Sequence, residues 1–153
     1  MKLQPLPITL REANDFVEQY HRHSKRTQRD GGKFAIGATT GDQMVGVAIV
    51  GRPLARLLND GYTSEVTRCC VLEDSPKGTG SFLYGRCWRI WQQMGGKKMI
   101  TYTLQTESGS TLKGAGWKII GETSKGNWSR EGRERDWQPI YGQLKFRWGV
   151  ESK

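Results

Sequence analysis

The stretch Thr63-Ser64-Glu65-Val66-Thr67-Arg68-Cys69-Cys70-Val71-Leu72, followed by Asp74-Ser75-Pro76-Lys77-Gly78-Thr79-Gly80-Ser81, decides how the chain is read. Its first part is rich in β-branched residues and predicts a strand over 63–72. Pro76, Gly78 and Gly80 punctuate the second part as a turn. Beyond it, Phe82, Leu83, Cys87, Ile90, Trp91 and Met94 trace one helical face until Gly95-Gly96 ends the helix. Strand, Gly-rich turn and helix in this order can make a phosphate cradle. Glycines let successive backbone N–H groups converge on one point, and the helix start adds its positive dipole end. Lys77 supplies charge beside it. The same pattern also fits an ordinary tight strand-to-helix turn. It is no Walker A loop, because the Gly-Lys-Ser/Thr ending is absent, and its spacing is not that of a dinucleotide fingerprint.

Working outward, Lys98–Leu104 predicts the next strand, so the centre of the chain reads strand, helix, strand. Upstream, Lys33–Thr40 and Gln43–Gly51 flank Thr40-Gly41-Asp42, the chemistry of an antiparallel hairpin. Pro53 stops the second of these strands, and 54–60 reads as a helical turn or a loop. Thr9-Leu10-Arg11-Glu12 fits a capping box, and Leu10, Ala13, Phe16, Val17 and Tyr20 predict a helix over 10–21. The basic stretch 21–32 reads as a loop. Downstream, 108–114 reads as a short helix broken by Gly114-Ala115-Gly116, and 117–122 and 141–148 as closing strands. A polar stretch, 123–138, holds Trp128 and Trp137. With 153 residues the chain suits one α/β domain with a mixed sheet, its core about 33–122.

The motif and its surroundings resemble the GNAT superfamily of acyl-CoA-dependent N-acyltransferases. The strand with Glu65, the Lys77-Gly78-Thr79-Gly80 loop, the helix after it, the next strand and the short helix ending Ala115-Gly116-Trp117 carry the likeness over roughly 33–122. Within that superfamily the chain is similar to small phage and prophage proteins through His21-Arg22-His23-Ser24, Val45-Gly46-Val47-Ala48-Ile49-Val50-Gly51-Arg52-Pro53 and Ser81-Phe82-Leu83-Tyr84-Gly85. More loosely, it resembles Mom-type DNA adenine modification proteins.

The resemblance implies a largely antiparallel mixed sheet with flanking helices and a splayed strand pair, and acetyl-CoA or another acyl-CoA as co-substrate. It implies that Cys70, Val71 and Leu72 pair with the pantetheine arm and that the amides of Lys77, Gly78, Thr79, Gly80 and Ser81 hold the pyrophosphate. Ser110 joins these as a cofactor-binding candidate. Glu65 falls where many members carry the base that deprotonates the amine, a task made necessary by an alkylammonium pKa of about 10. Two positions depart from the pattern. Ser75 stands where the loop usually begins with Arg or Gln, and Leu112 stands where a Tyr often protonates the departing thiolate. Tyr102, Ser108 and Ser110 are candidates to replace that acid.

Each of these residues also has a plainer reading. Glu65 could be a strand carboxylate paired with Arg68, and His21 and His23 could be surface or helix-capping residues. Read functionally, the two histidines join Arg52 and Arg68 at the acceptor side, with His23 a candidate for the chemistry. Cys69, Cys70 and Cys87 have no His partner at a recognisable spacing, so direct transfer is expected over a covalent cysteine. Trp88 and Trp91 read as core.

Lys and Arg exceed Asp and Glu by +9, and no acidic residue lies between Asp74 and Glu107. Part of that excess suits the phosphates of CoA, and the rest favours an anionic partner such as DNA. Trp128 and Trp137, interleaved with Arg130, Arg133 and Arg135, could stack on bases, or could belong to a solvated loop in which Glu131, Glu134 and Asp136 balance the arginines. No run approaches the roughly 20 apolar residues of a membrane span. Three cysteines, two of them adjacent, suit a reducing compartment rather than a disulfide framework, and no His/Cys spacing suits zinc. A soluble cytoplasmic enzyme is therefore expected. Its acceptor would be an amine on a protein, a small molecule or a nucleic acid. A Mom-like DNA adenine modifier and a non-catalytic nucleic-acid-binding protein on the same scaffold are the alternatives.

Overall fold

The computed structural model describes residues 2–20, 32–123 and 144–152. These form a seven-stranded sheet, built in chain order from β1 (Gln4–Pro7), β2 (Gly32–Thr40), β3 (Gln43–Gly51), β4 (Thr63–Val71), β5 (Lys98–Leu104), β6 (Lys118–Thr123) and β7 (Lys145–Glu151). The spatial order is β1-β2-β3-β4-β5-β7-β6. Every neighbouring pair is antiparallel except β4 and β5, which run parallel because a helix connects them. The expected mixed, largely antiparallel sheet is what the chain forms.

Three helices accompany the sheet: α1 (Leu10–Tyr20), α2 (Thr79–Gln93) and α3 (Ser110–Gly114). α1 starts as its capping box requires. Glu12 N–H donates to Thr9 Oγ1 and Thr9 N–H to Glu12 Oε1, each at 3.0 Å. Its apolar face, Ala13, Phe16 and Val17, packs with Val47, Ile49 and Cys70 on one side of the sheet. α2 lies on the other side, where Leu83, Cys87 and Trp91 join Ala48, Val50, Val66, Met99, Leu112, Trp117 and Trp148 in the larger core. Cys69 packs against that larger core and Cys70 against α1, so the adjacent cysteines face opposite sides as strand alternation demands. Among the described residues no helix is long and apolar enough to cross a membrane.

Two strands differ from the sequence reading. β1 was not expected, because Pro5 and Pro7 argue against a strand; both prolines are tolerated because β1 is an edge, paired on one side only with β2. The last strand runs over 145–151 rather than ending at Trp148. β5 sets its length, through a ladder from Lys98↔Glu151 to Leu104↔Lys145. Gly149 and Glu151 hid that extension by breaking the apolar alternation.

Candidate active site at the β4–β5 fork

Although β4 and β5 are nine and seven residues long, they pair only at Thr63↔Lys98, Ser64↔Met99 and Glu65↔Ile100. Beyond Glu65 they part. Thr101 Oγ1 donates to Val66 O at 2.9 Å, so a side chain stands where the ladder would have continued. Below the gap, on the α2 side, Tyr84 packs against the larger core, and Cys69 of β4 and Thr101 of β5 lie close enough to influence its hydroxyl. Tyr84 thus stands beside both strands where they part. The sequence reading did not single it out.

A register shift helps shape the fork. Ile49 pairs with Arg68 and Val50 with Val66, leaving Thr67 as the extra residue of a bulge. Val66 and Cys69, three apart, consequently both face the α2 core. Their neighbours Glu65 and Arg68 therefore share the opposite face, where a regular strand would have separated them. On β5, Met99 belongs to the α2 core and Thr101, two residues on, shares its face, so Ile100 and Tyr102 face the Glu65 side. On β7, Phe146 and Trp148 pack on the α2 side, so Lys145 and Arg147 face the Glu65 side as well. Glu65, Arg68, Tyr102, Lys145 and Arg147 form one constellation at the mouth of the fork.

Glu65 is 4% exposed, and its Oε1 accepts the Leu54 N–H at 3.1 Å. Burial raises its carboxyl to about 7, against the opposing effects of that hydrogen bond and of the Arg68 and Lys145 charges. A value near neutrality lets this carboxyl both take and release a proton, the property a general base needs. Burial lowers the Lys145 ammonium, with Glu65 pulling the other way. Tyr102 is raised, first by burial and then by the Glu65 charge, with the neighbouring Arg147 pulling the other way. Burial pushes the Cys70 thiol up to about 11 and Cys69 to about 12, so neither is a thiolate near neutrality.

At the open end of β4 the backbone is selective. Leu72 N–H donates to Val45 O at 2.8 Å, and a Cβ on Gly46 would lie 3.2 Å from Cys70 O. Cys70 and Leu72 therefore point their main-chain groups toward β3. By antiparallel alternation, Cys69 and Val71 turn theirs toward the gap. Of the three residues expected to pair with an arm in the fork, Val71 is the one whose backbone faces it.

The loop after β4 turns on Gly78, whose φ of 91° is strained for any L side chain. Thr79 N–H and Oγ1 both donate to Pro76 O, at 3.2 and 2.6 Å, so the Thr79 amide is committed within the turn. The N–H groups of Gly78, Gly80 and Ser81 have no hydrogen-bond partner among the described residues. They sit at the start of a fifteen-residue helix with no acidic side chain in its first turn, which suits an anion. Gly80 is small for a further reason: a Cβ there would come within 2.6 Å of Thr111 Cγ2 on α3. Ser81 Oγ donates to Thr111 O at 2.7 Å and holds α3 against the helix start. Lys77 is exposed.

Other expected residues are dispersed. Ser108 and Ser110 are exposed and bond each other at 3.2 Å, beside Gly109 at the start of α3. Leu112 is in the core at 1% exposure. Arg52 is exposed, one residue past Gly51, the register partner of Glu65. His21, His23, Trp128 and Arg130 lie outside the described residues. Arg147 and Lys145 are the site residues sequence reading missed. Their alternation with Phe146 and Trp148 was visible, but not the long-range insertion of β7 beside β5.

No family model matches the chain, and no curated protein matches it. Solved structures do match in fold. The ribosomal-protein-S18-alanine N-acetyltransferase from Escherichia coli aligns with a TM-score of 0.67 at 10% identity, over 98% of this chain and 94% of that one. An IAA acetyltransferase from Bacillus cereus gives 0.67 at 15%, over 99% and 100%. A GNAT family acetyltransferase from Elizabethkingia anophelis with acetyl-CoA bound gives 0.63 at 17%, over 98% of each chain. The chain has the fold of these GNAT acetyltransferases.

Proposed function

We propose that the protein is an acyl-CoA-dependent N-acyltransferase, with acetyl-CoA as the leading donor, transferring the acyl group directly to an amine. The observation that carries this reading is the fork itself. A buried carboxyl with its pKa near neutrality stands where the strands part, and unpaired amides wait at the helix start beyond the open end. In this reading Gly78, Gly80 and Ser81 N–H groups bind the diphosphate, and the Val71 backbone pairs with the arm laid along β4. An acyl-CoA bound there supplies the activated thioester carbonyl. Glu65 accepts a proton from the incoming ammonium at a carboxylate oxygen, directly or through one water. The Tyr102 hydroxyl, on the same face and with Arg147 as its register partner on β7, is the acid candidate that the geometry favours over Ser108 and Ser110. Raised thiol pKa values at Cys69 and Cys70 favour direct transfer over a cysteine intermediate. The nucleic-acid readings rest largely on segments 21–31 and 124–143 and draw no observation from the described residues.

Acetyl-CoA should raise the Tm of the wild type in proportion to its affinity. Glu65→Gln should keep that shift while transfer to an amine falls about 10²-fold or more. The wild-type kcat/KM should rise with pH through about 7 as Glu65 ionises, and this inflection should vanish in Glu65→Gln. An unchanged pH profile in that variant removes Glu65 as the base. Absence of any Tm shift with acetyl-CoA or longer acyl-CoAs removes the enzymatic reading.

A further inference from the structure

The Leu54 amide meets Glu65 Oε1 at 3.1 Å, and apolar packing does not bring it there. The Leu54 side chain is 59% exposed, and that of Leu57, farther along the same loop, is fully exposed. The main chain places this amide instead. β3 and β4 pair as far as Gly51↔Glu65, so the chain leaves β3 directly beside the carboxyl. Pro53, buried and with its φ fixed by the ring, then sets the direction in which the next amide is delivered. The rest of the loop is held by its own backbone. Leu58 N–H donates to Ala55 O and Asn59 N–H to Arg56 O, while Asp60 Oδ1 accepts the Tyr62 and Thr63 N–H groups at 2.9 and 2.8 Å.

The described charged and titratable groups around Glu65 come from every neighbouring element. Arg68 lies on β4, Tyr102 and Lys98 on β5, and Lys145, Arg147 and Glu151 on β7. Arg52 and Arg56 belong to the loop, and α1, on the same side of the sheet, carries Arg11, Glu12, Asp15 and Glu18. The charges of Arg68 and Lys145 favour the carboxylate, and the Leu54 hydrogen bond favours it more than either. A donor fixed on Oε1 also restricts rotation of the carboxyl, which leaves Oε2 as the oxygen free to exchange a proton.

We infer that Leu54 is a positioning residue, whose main-chain N–H holds Glu65 Oε1 so that Oε2 takes the proton of the incoming amine. This rests on the acyltransferase reading and supplies its base with an orientation. In the transfer step the nitrogen, or a water between, loses its proton to Oε2, while the amide proton stays on Leu54.

The test replaces the leucine at 54 by its α-hydroxy analogue, which exchanges the N–H for an ester oxygen and keeps the side chain. Leu54→Ala is the counterpart, keeping the N–H and removing the side chain. NMR titration of the labelled Glu65 carboxyl carbon in the free protein reads the effect without turnover. The ester protein should titrate roughly one pH unit above wild type, and Leu54→Ala should titrate with wild type. Leu54→Pro, which lacks the N–H by a different route, should titrate with the ester. In kcat/KM profiles for transfer from acetyl-CoA, the same upward move should appear in the N–H-free proteins, whereas a merely structural contact would lower activity equally at every pH. If either N–H-free protein titrates with wild type, or if Leu54→Ala moves as far as they do, the inference is overturned. The acyltransferase reading fails separately, through the absence of any Tm shift with acyl-CoA. A raised Glu65 titration would then leave the hold on Oε1 standing without it.

Discussion

At its closed end, the seam between β4 and β5 is laddered through Thr63, Ser64 and Glu65 and further pinned by Trp91, whose Nε1–H is shared by Tyr62 O at 3.1 Å and Lys98 O at 2.9 Å. Lys97 and Lys98 also donate their N–H groups to Tyr62 O. At its open end the same two strands hold a bulge at Thr67 and a side-chain bridge from Thr101, with Tyr84 beside both. β-propensity does not explain the difference, since Val66 and Val71 favour strands as strongly as anything in the closed half. The strands part because polar side chains take the places that backbone partners would fill. The closed end is held by ladder and core, and the open end carries the groups proposed to bind the co-substrate.

That division can be broken from either side, and the closed end should give the larger effect. Trp91→Ala empties a core position that is 4% exposed and removes the indole N–H from both carbonyls. We expect about 3–5 kcal/mol of destabilisation, seen as a lower denaturant midpoint. Acetyl-CoA affinity measured below the new Tm should stay within about 3-fold of wild type. A collapse of affinity with stability intact would mean the two ends are not separate devices. At the open end, Gly80→Val drives a side chain into Thr111 and into the space before the free amides. Acetyl-CoA affinity should fall about 100-fold or more, near 2.8 kcal/mol, with a smaller loss of stability. Retained affinity would show that the helix start is not the phosphate site.

Much of this was legible from local sequence, and the reasons are local. Thr9 and Glu12 cap a helix by themselves, Thr40-Gly41-Asp42 turns a hairpin with Gly41 at φ 58°, and Gly95, at φ 96°, ends α2 where the apolar face stops. The loop glycines stood out because strand, turn and helix are contiguous, and Glu65 through the resemblance that this contiguous motif carries. What stayed hidden depends on distant partners. The Thr67 bulge, which turns Arg68 toward Glu65, exists only in relation to β3. Arg147 reaches the site only because β7 enters between β5 and β6. Gly80 was read for its amide, whereas its tight contact with Thr111 could be known only once α3 had a place.

The chemistry at the junction of the two halves carries a stability cost that Glu65→Gln should reveal. In the folded protein the Glu65 carboxyl holds its proton to about 7, against an ordinary value of 4.5 in the unfolded chain. Between those values the unfolded chain releases a proton that the folded one keeps, so stability falls as pH rises through that window. The loss is complete above about pH 7 and amounts to at most about 3 kcal/mol. Glutamine accepts the Leu54 N–H without ionising. The variant should therefore match wild type near pH 4 and exceed it at pH 8, when both are unfolded by urea. Equal curves at both pH values would mean that Glu65 titrates normally and lacks the elevated pKa proposed for the base.

The smallest effect should come from Thr101→Val, which tests whether the fork is held open by side chains or merely decorated by them. The substitution nearly preserves shape on a residue 3% exposed, but it removes the donor to Val66 O. A buried carbonyl left without its bond costs about 1–3 kcal/mol, and we expect the low end because the gap can admit water. If Thr101 is the spacer, β5 can approach β4 once its hydroxyl is gone. Amide exchange at Cys69 and Val71 should then slow, and acetyl-CoA affinity should drop several-fold. Tyr84→Phe, which leaves the Thr101 bridge in place, should leave acetyl-CoA affinity unchanged. The opposite pattern would assign the opening to the Tyr84 side chain and leave Thr101 as a passive neighbour.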